Sequence, residues 1–212
     1  MRMNSSIVKM SSLAVAGVLG LALAANAVSA TLKAEARNTS GHAITSGTLK
    51  LIQANNGTGF STQISDMAPG DVVNRYVDYT NSGTLASKAL QLKVVDGTPS
   101  LLSTDGTKGL QLVVKNCSTA WNPTAGTCSG TQTTVLTSPL SGMGTDQSFS
   151  NITTLAENTG MLHLQFALTL PDAPNAETSL NGALPANTIQ GLNASLTWTL
   201  SETQRDASTS NA

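Results

Sequence analysis

The chain has 212 residues, of which 40% are hydrophobic, 11% charged and 3% aromatic, and its formal net charge is −1. This hydrophobic share is enough for a packed core, so the composition excludes a disordered chain. Serine, threonine and asparagine are abundant, and because they compete with the helix backbone they favour strands and turns over an all-helical fold. Eleven basic residues against twelve acidic ones, without a basic cluster, leave no electrostatic footprint for nucleic-acid binding.

Residues 1–30 have the organisation of an export signal. Arg2 and Lys9 precede an apolar run over residues 13–25, and the segment ends in small residues around Ala27 and Ala30. This run is too short for a transmembrane helix, which needs about 20 apolar residues. We therefore predict that signal peptidase cleaves after Ala30 or after Ala27, that the cleaved chain has no membrane span, and that it is secreted.

The chain has two cysteines, Cys117 and Cys128. In an exported chain such a pair favours a disulfide that closes a short loop. A metal pair is the alternative, but a structural zinc site takes four ligands, and His42 and His163 stand far from the cysteines without ligand spacing. We expect neither a metal nor a cofactor.

Apolar and polar side chains alternate with a period of two through much of the chain, which predicts half-buried antiparallel strands. The alternation is clearest over residues 162–170 and 192–200, and it recurs over residues 90–94, 110–115 and, less regularly, 73–79. Short strands with one apolar face bury that face by packing two sheets together. The sequence therefore predicts an all-β fold, an antiparallel two-sheet β-sandwich, with loops or edge excursions at the sandwich ends over residues 118–150 and 171–187.

Turn-forming residues separate the predicted strands. Pro69-Gly70 suits a type II turn, in which the glycine takes a positive φ. Asn81-Ser82-Gly83 and Asp105-Gly106 supply further residues that tolerate positive φ. We therefore expect reversals of the chain at these three places.

Short catalytic motifs are missing from the sequence. It has no His-Glu-x-x-His metal helix, no Gly-x-Ser-x-Gly nucleophile turn and no Gly-rich phosphate loop. His163 lies on the polar face of a predicted strand, a position that favours a solvent-exposed side chain over a general base. We predict that the protein is not an enzyme.

Four short motifs follow one another along the chain. They are the strand start Ser-Gly-Thr-Leu-Lys-Leu over residues 46–51, the turn of Pro69, Gly70 and Asp71, the turn of Asn81 and Gly83, and the sequence ending in Gln190 and Gly191 before the last strand. In this order and spacing they resemble the family of secreted bacterial biofilm-fibre proteins that includes TasA and camelysin (CalY).

The resemblance implies a jelly-roll domain over residues 46–203, followed by a polar tail over residues 204–212. It also implies a structural protein that assembles into extracellular fibres of a biofilm matrix. The expected partners are further copies of the chain, joined head to tail, and other matrix proteins. In fibre-forming relatives the mature N-terminus is a donor strand that fills a groove in the next subunit.

Residues 31–45 are the segment expected to carry this donor strand. Leu32, Ala34 and Ala36 alternate with charged residues, a pattern that places apolar side chains in a groove and charges outside it. Two of the three apolar positions are alanine, so either the groove is shallow or the contact is weak. An edge strand of the same domain, or a frayed terminus, is the alternative.

Two other functions stay open at this point. One is a monomeric surface adhesin, because β-sandwiches carry many unrelated binding sites. The other is a metalloprotease, an activity ascribed to camelysin-like relatives, although the chain shows no convincing set of zinc ligands.

Overall fold

The structure is a computed structural model that describes residues 43–178 and 182–210. The chain divides into two units, residues 1–45 and residues 46–212, and every strand and helix reported below belongs to the second. The predicted signal peptide and the predicted donor strand, with Leu32, Ala34 and Ala36, lie outside the described residues. Within those two ranges no helix has both the length and the apolar character needed to cross a bilayer.

Antiparallel strands dominate the described residues, which confirms the predicted all-β class. The strands are β1 (Leu51–Asn56), β2 (Val72–Asn81), β3 (Ser87–Asp96), β4 (Gln111–Cys117), β5 (Trp121–Asn122), β6 (Thr127–Cys128), β7 (Gln132–Pro139), β8 (Gln147–Ser148), β9 (Thr154–Leu155), β10 (Gly160–Thr169) and β11 (Leu196–Gln204). One helical turn, α1 (Leu101–Thr104), and two 3₁₀ turns, Leu140–Gly142 and Ala173–Asn175, lie between them.

The strands form two main sheets and one hairpin. Sheet A has five strands in the order β1-β2-β10-β4-β7, and sheet B has the order β11-β3-β8, with β9 also paired to β3. Strands β5 and β6 form a separate two-stranded hairpin. Every pair is antiparallel.

Alternate side chains of both sheets pack in one hydrophobic cluster. Leu112, Leu164 and Phe166 of sheet A and Leu92 of sheet B are fully buried in it. Complete burial of such a side chain stabilises the fold by roughly 1.5–3 kcal/mol. The alternation predicted over residues 90–94, 110–115 and 162–170 is therefore confirmed.

The stretch over residues 118–150, predicted to be a loop or an edge excursion, contains a regular strand that was not predicted, because residues 132–139 form β7 at the edge of sheet A. Val135 and Leu136 are adjacent in this strand and threonines surround them, so the signal of period two is weak. A register shift against β4 accommodates the extra residue, and Val135 is fully buried. The described part of the predicted loop over residues 171–187 contains no extended strand.

The last strand begins later than predicted. β11 starts at Leu196 instead of Leu192, and its inward-facing residues Leu196, Trp198 and Leu200 are only half-buried. β11 is an edge strand of sheet B, and in the described part of the chain no strand pairs with its outer side. The apolar face of this strand is therefore incompletely covered.

The Pro69-Gly70 turn has the predicted form. Gly70 has a φ of 93°, as the second central residue of a type II turn requires, and the N–H of Asp71 donates to the carbonyl of Ala68 over 3.0 Å. The Asp71 carboxylate in turn accepts the N–H of Ala68 over 2.7 Å. Asp71 thus stabilises the turn.

The chain turns after Asn81 and after Asp105, as predicted, although none of the residues of Asn81-Ser82-Gly83 and Asp105-Gly106 adopts the positive φ that they tolerate. Asn81 acts through its side chain instead: it is fully buried, donates to the carbonyl of Leu85 over 2.8 Å and accepts the N–H of Gly83 over 3.0 Å. Asp105 likewise acts through its carboxylate, which accepts the N–H groups of Thr107 and Lys108.

Gly83 is required by the close approach of another segment. A Cβ at this position would collide with the carbonyl oxygen of Thr48 and lie 2.7 Å from the nitrogen of Lys50. These are backbone atoms of the segment that leads into β1. A side chain at residue 83 would therefore push apart two stretches of main chain.

We expect Gly83→Ala to lower the free energy of unfolding by about 1–3 kcal/mol, the usual cost of overpacking. Gly144→Ala is the matched control, because a Cβ there meets no other atom within 4 Å. Urea unfolding followed by tryptophan fluorescence measures both. Equal unfolding midpoints for the two variants would contradict the role given to Gly83.

Candidate functional site

An open seam with polar and apolar walls runs along the inward-facing side of β11, the edge strand of sheet B, and is lined on its other side by the loop between β1 and β2 and, in part, by β1. Its larger part is a groove of about 890 Å³. Its smaller part is a cavity of about 260 Å³ that extends the seam between β1 and the middle of β11. We call these two parts together the seam.

The seam is where the described core is least covered. Twelve partly buried hydrophobic residues pack against the core, and nine of them line the seam, so most of the incompletely covered side chains next to the core lie there. The nine are Leu51, Phe60, Ile64, Met67, Leu102, Leu192, Leu196, Trp198 and Leu200.

Three aromatic rings meet inside the groove. Trp198 comes from β11, Phe166 from β10 and Phe60 from the loop between β1 and β2. The rings of Phe60 and Trp198 are stacked with centroids 4.8 Å apart, and both contact Phe166 edge to face at 5.0 and 5.3 Å. The cluster therefore bridges the two sheets across the seam.

The side of the sheets away from the seam is closed by backbone hydrogen bonds. The N–H of Ser150, just after β8, donates to the carbonyl of Val135 in β7 over 2.8 Å. The N–H of Val94 in β3 donates to the carbonyl of Met143 over 2.9 Å. Because main-chain groups are already paired there, that side offers less opportunity for strand addition than the β11 edge.

One end of the groove is polar. The Glu177 carboxylate accepts hydrogen bonds from the hydroxyl of Thr188, from Lys108 Nζ over 3.1 Å and from Gln190 Nε2 over 3.2 Å. The bond from Thr188, followed by that from Lys108, holds the pKa of Glu177 below its ordinary value. This network fixes the segment that carries Gln190 against α1 and β4.

Asn175 reinforces the same end of the groove. Its side chain is buried and donates to the carbonyls of Lys108 and Pro171 over 2.9 and 2.8 Å. Its Oδ1 is buried without a hydrogen-bond partner among the described residues. The two donated bonds tie the 3₁₀ turn before Glu177 to the rest of the groove wall.

The motif residues selected in the sequence analysis lie at two different places in the structure. Pro69, Gln190 and Gly191 line the groove. Asn81 and Gly83 lie at the opposite end of β2, where they shape the turn into β3. The motifs of Pro69 and Gln190, far apart in sequence, thus belong to one site, whereas that of Asn81 has a structural role elsewhere.

Cys117 and Cys128 form the predicted disulfide, with their Cα atoms 5.9 Å apart. The bond closes the hairpin of β5 and β6. Trp121 of this hairpin packs on Tyr76 with ring centroids 5.6 Å apart, on the face of sheet A that points away from the main core. The disulfide thus holds a second small hydrophobic cluster together.

The predicted solvent exposure of His163 is wrong. Its side chain is only 15% exposed, and its Nδ1 lies 2.7 Å from Oδ1 of Asp78. Its carbonyl accepts the indole N–H of Trp121 over 2.8 Å. The alternation within one strand could not predict this contact, because Asp78 and His163 become neighbours only when β2 pairs with β10.

The Asp78–His163 pair does not extend to a metal centre. Across residues 43–178 and 182–210, no group of three or more His, Cys, Asp or Glu residues is placed to hold a metal ion. The pair and the Trp121 hydrogen bond instead connect β2, β10 and the hairpin. Their visible role is to fasten the hairpin to sheet A.

No protein-family model matches this chain, and no curated protein matches it. The resemblance to biofilm-fibre proteins therefore depends on the four motifs alone. In this chain, two of them have a direct physical explanation in the Pro69-Gly70 turn and in the side-chain bonds of Asn81.

Tyr79 lines the smaller part of the seam and gives it a measurable signature. It is 3% exposed, and its hydroxyl donates to Gln53 Oε1 over 3.1 Å. Burial raises the pKa of Tyr79 to about 12. The phenol therefore ionises at a higher pH in the folded protein than in the unfolded chain, where its pKa is about 10.

We expect the protein to lose stability between about pH 10 and pH 12, because the unfolded chain releases the Tyr79 proton first. The loss contributed by Tyr79 reaches a few kcal/mol above pH 12, since each pKa unit corresponds to about 1.36 kcal/mol. Urea unfolding at a series of pH values measures it. Tyr79→Phe should lack this contribution, and an unchanged pH dependence in that variant would refute the assignment.

Proposed function

We propose that the protein is a secreted structural subunit that assembles head to tail into extracellular fibres of a biofilm matrix. In this proposal, residues 31–38 of one subunit add as a strand along the seam of the next. The observation that carries the proposal is the open seam beside β11, an edge strand whose outer side has no partner strand in the described part of the chain. Strand addition gives affinity through main-chain hydrogen bonds and register through alternate side chains.

The strand order supports a jelly-roll sandwich with one position unfilled. In an eight-stranded jelly roll, one sheet contains strands two, seven, four and five in spatial order, and the other contains strands one, eight, three and six. β2, β10, β4 and β7 have the first order, and β11, β3 and β8 have the last three places of the second. The place of strand one, beside β11, is the place of the seam.

The N-terminal sequence has the pattern that this position needs. Leu32, Ala34 and Ala36 would point into the seam, and the charged residues between them would point to solvent. Each apolar side chain that covers Leu196, Trp198 or Leu200 removes hydrophobic surface from water. Burial of this surface is favourable at about 25 cal/mol per Å².

Chain direction favours a strand from a second subunit. The N–H of Leu85 donates to the carbonyl of Thr48, and Gln204 pairs with Ser87, so the residues before β1 lie at the end of the seam where β11 finishes. A strand just before Ser46 in the same chain would run toward that end, parallel to β11. A strand from another subunit can run antiparallel, which is the slightly more stable pairing.

The proposed contact is heterologous, because the N-terminal segment of one subunit meets the seam of another. Repetition of such a contact produces an open filament when its rotation does not close a ring. Export and signal-peptide cleavage fit this scheme, since cleavage after Ala30 would place the donor strand at the very N-terminus.

We expect purified residues 31–212 to form fibres in negative-stain electron microscopy and a version without residues 31–38 to stay monomeric. The shortened version lacks the three apolar side chains proposed to enter the seam. If both versions form fibres, the donor-strand mechanism is refuted, but the role as a structural fibre protein still stands. Monomers from both, over a wide range of concentration and pH, would favour a monomeric adhesin.

We also expect Ala194→Arg to reduce fibre formation at least about tenfold, because Ala194 lines the groove and the long charged side chain would occupy space that an incoming apolar strand needs. Thr197→Arg is the matched control, since Thr197 is exposed and does not line the groove. Sedimentable protein at equal concentration measures the difference, and equal amounts from the two variants would exclude the seam as the assembly surface.

A further inference from the structure

The loop between β1 and β2 is built to place Phe60 in the seam. Gly57 and Gly59 have φ values of 68° and 47°, a conformation that other residues rarely adopt. Gly59 is buried, and a Cβ there would collide with the side chain of Asn55. The backbone therefore turns sharply and directs Phe60 between Trp198 and Phe166.

The loop is attached to the sheets mainly by side chains. Between residues 59 and 67, the described main chain makes one backbone hydrogen bond, from the N–H of Ser61 to the carbonyl of Thr58 over 3.1 Å. Arg75 adds one side-chain bond, to the carbonyl of Thr62 over 3.2 Å. Phe60 could therefore shift without breaking any strand pairing, since segments with few hydrogen bonds open at low cost.

The ring of Phe60 occupies space that an incoming strand would otherwise use. It stacks on Trp198, the central inward-facing residue of β11, and touches Phe166 on the opposite sheet. Phe60 thus covers one face of the Trp198 ring in the middle of β11. A small side chain can lie over the three rings, whereas a large one would collide with them.

We infer that Phe60 is an internal plug that makes the seam selective for a strand with small apolar side chains. This inference rests on the proposed function and deepens it, because it states which donor strands the seam accepts. Ala34 and Ala36 of the candidate donor are small enough to lie over the plugged part. Leu32 would then lie beyond the three rings, toward a deeper part of the seam.

A size exchange between donor and plug tests the inference. The full-length chain is expressed in a secreting host as wild type, as Ala34→Phe, as Ala36→Phe, and as each of these combined with Phe60→Ala. Sedimentation and electron microscopy measure the fibres. We expect at least one phenylalanine in the donor to reduce assembly about tenfold, and Phe60→Ala to restore it in the same chain. Tenfold corresponds to about 1.4 kcal/mol, within the range of overpacking.

Two controls separate selectivity from general destabilisation. Leu136→Ala removes a half-buried side chain that packs on the core but does not line the seam, and it should not rescue either donor variant. Phe60→Leu keeps most of the core contact and should give a smaller rescue than Phe60→Ala. Urea unfolding of each chain shows that the variants are folded.

The outcomes discriminate between the plug and the function on which it rests. Rescue by Phe60→Ala and not by Leu136→Ala supports the plug. Full assembly of both donor variants with Phe60 in place, or loss of assembly that Phe60→Ala does not repair, overturns the plug and leaves strand addition standing. If the wild-type chain and all variants stay monomeric, the proposed function fails and the plug fails with it.

Discussion

The incomplete covering of β11 is the constraint on which the other features of the candidate site depend. Leu196, Trp198 and Leu200 face inward, but the strand is at an edge and one flank of its apolar face lies open. A protein can leave such a surface to water, fold a loop over it or recruit another chain. Here the loop that carries Phe60 covers part of it, and the proposed donor strand would cover the rest.

Strict alternation made part of the fold predictable. β3, β4 and β10 bury one face against the opposite sheet, so their leucines and valines recur at every second residue and mark them in the sequence. β7 lacks this pattern because its bulge places Val135 and Leu136 side by side. β11 shows the pattern, but the strand begins four residues after the alternation does. The alternation shows only the spacing of apolar side chains and does not show where hydrogen bonding to β3 begins.

The candidate site was less predictable, because its parts meet only through long-range pairing. Pro69 and Gln190 stood out as motif residues, but only the fold brings both to one groove. Phe60 gave no signal in the sequence, since one aromatic residue in a Gly/Thr-rich stretch belongs to no periodic pattern. The cysteines were the exception: in a chain predicted to be exported, two thiols have few other chemical states, so their pairing could be predicted without knowledge of the fold.

The hairpin of β5 and β6 has a mechanical consequence. Asn56 at the end of β1 donates its amide to the carbonyl of Trp121 over 3.0 Å, and Trp121 belongs to the hairpin that the disulfide ties to β4. β1 is thus linked to the far half of sheet A by a route that crosses the sheet surface. A force applied to β1 would be carried both by its hydrogen bonds to β2 and by the contact with the disulfide-linked hairpin. β1 would therefore separate from sheet A less easily under tension than an edge strand held by β2 alone.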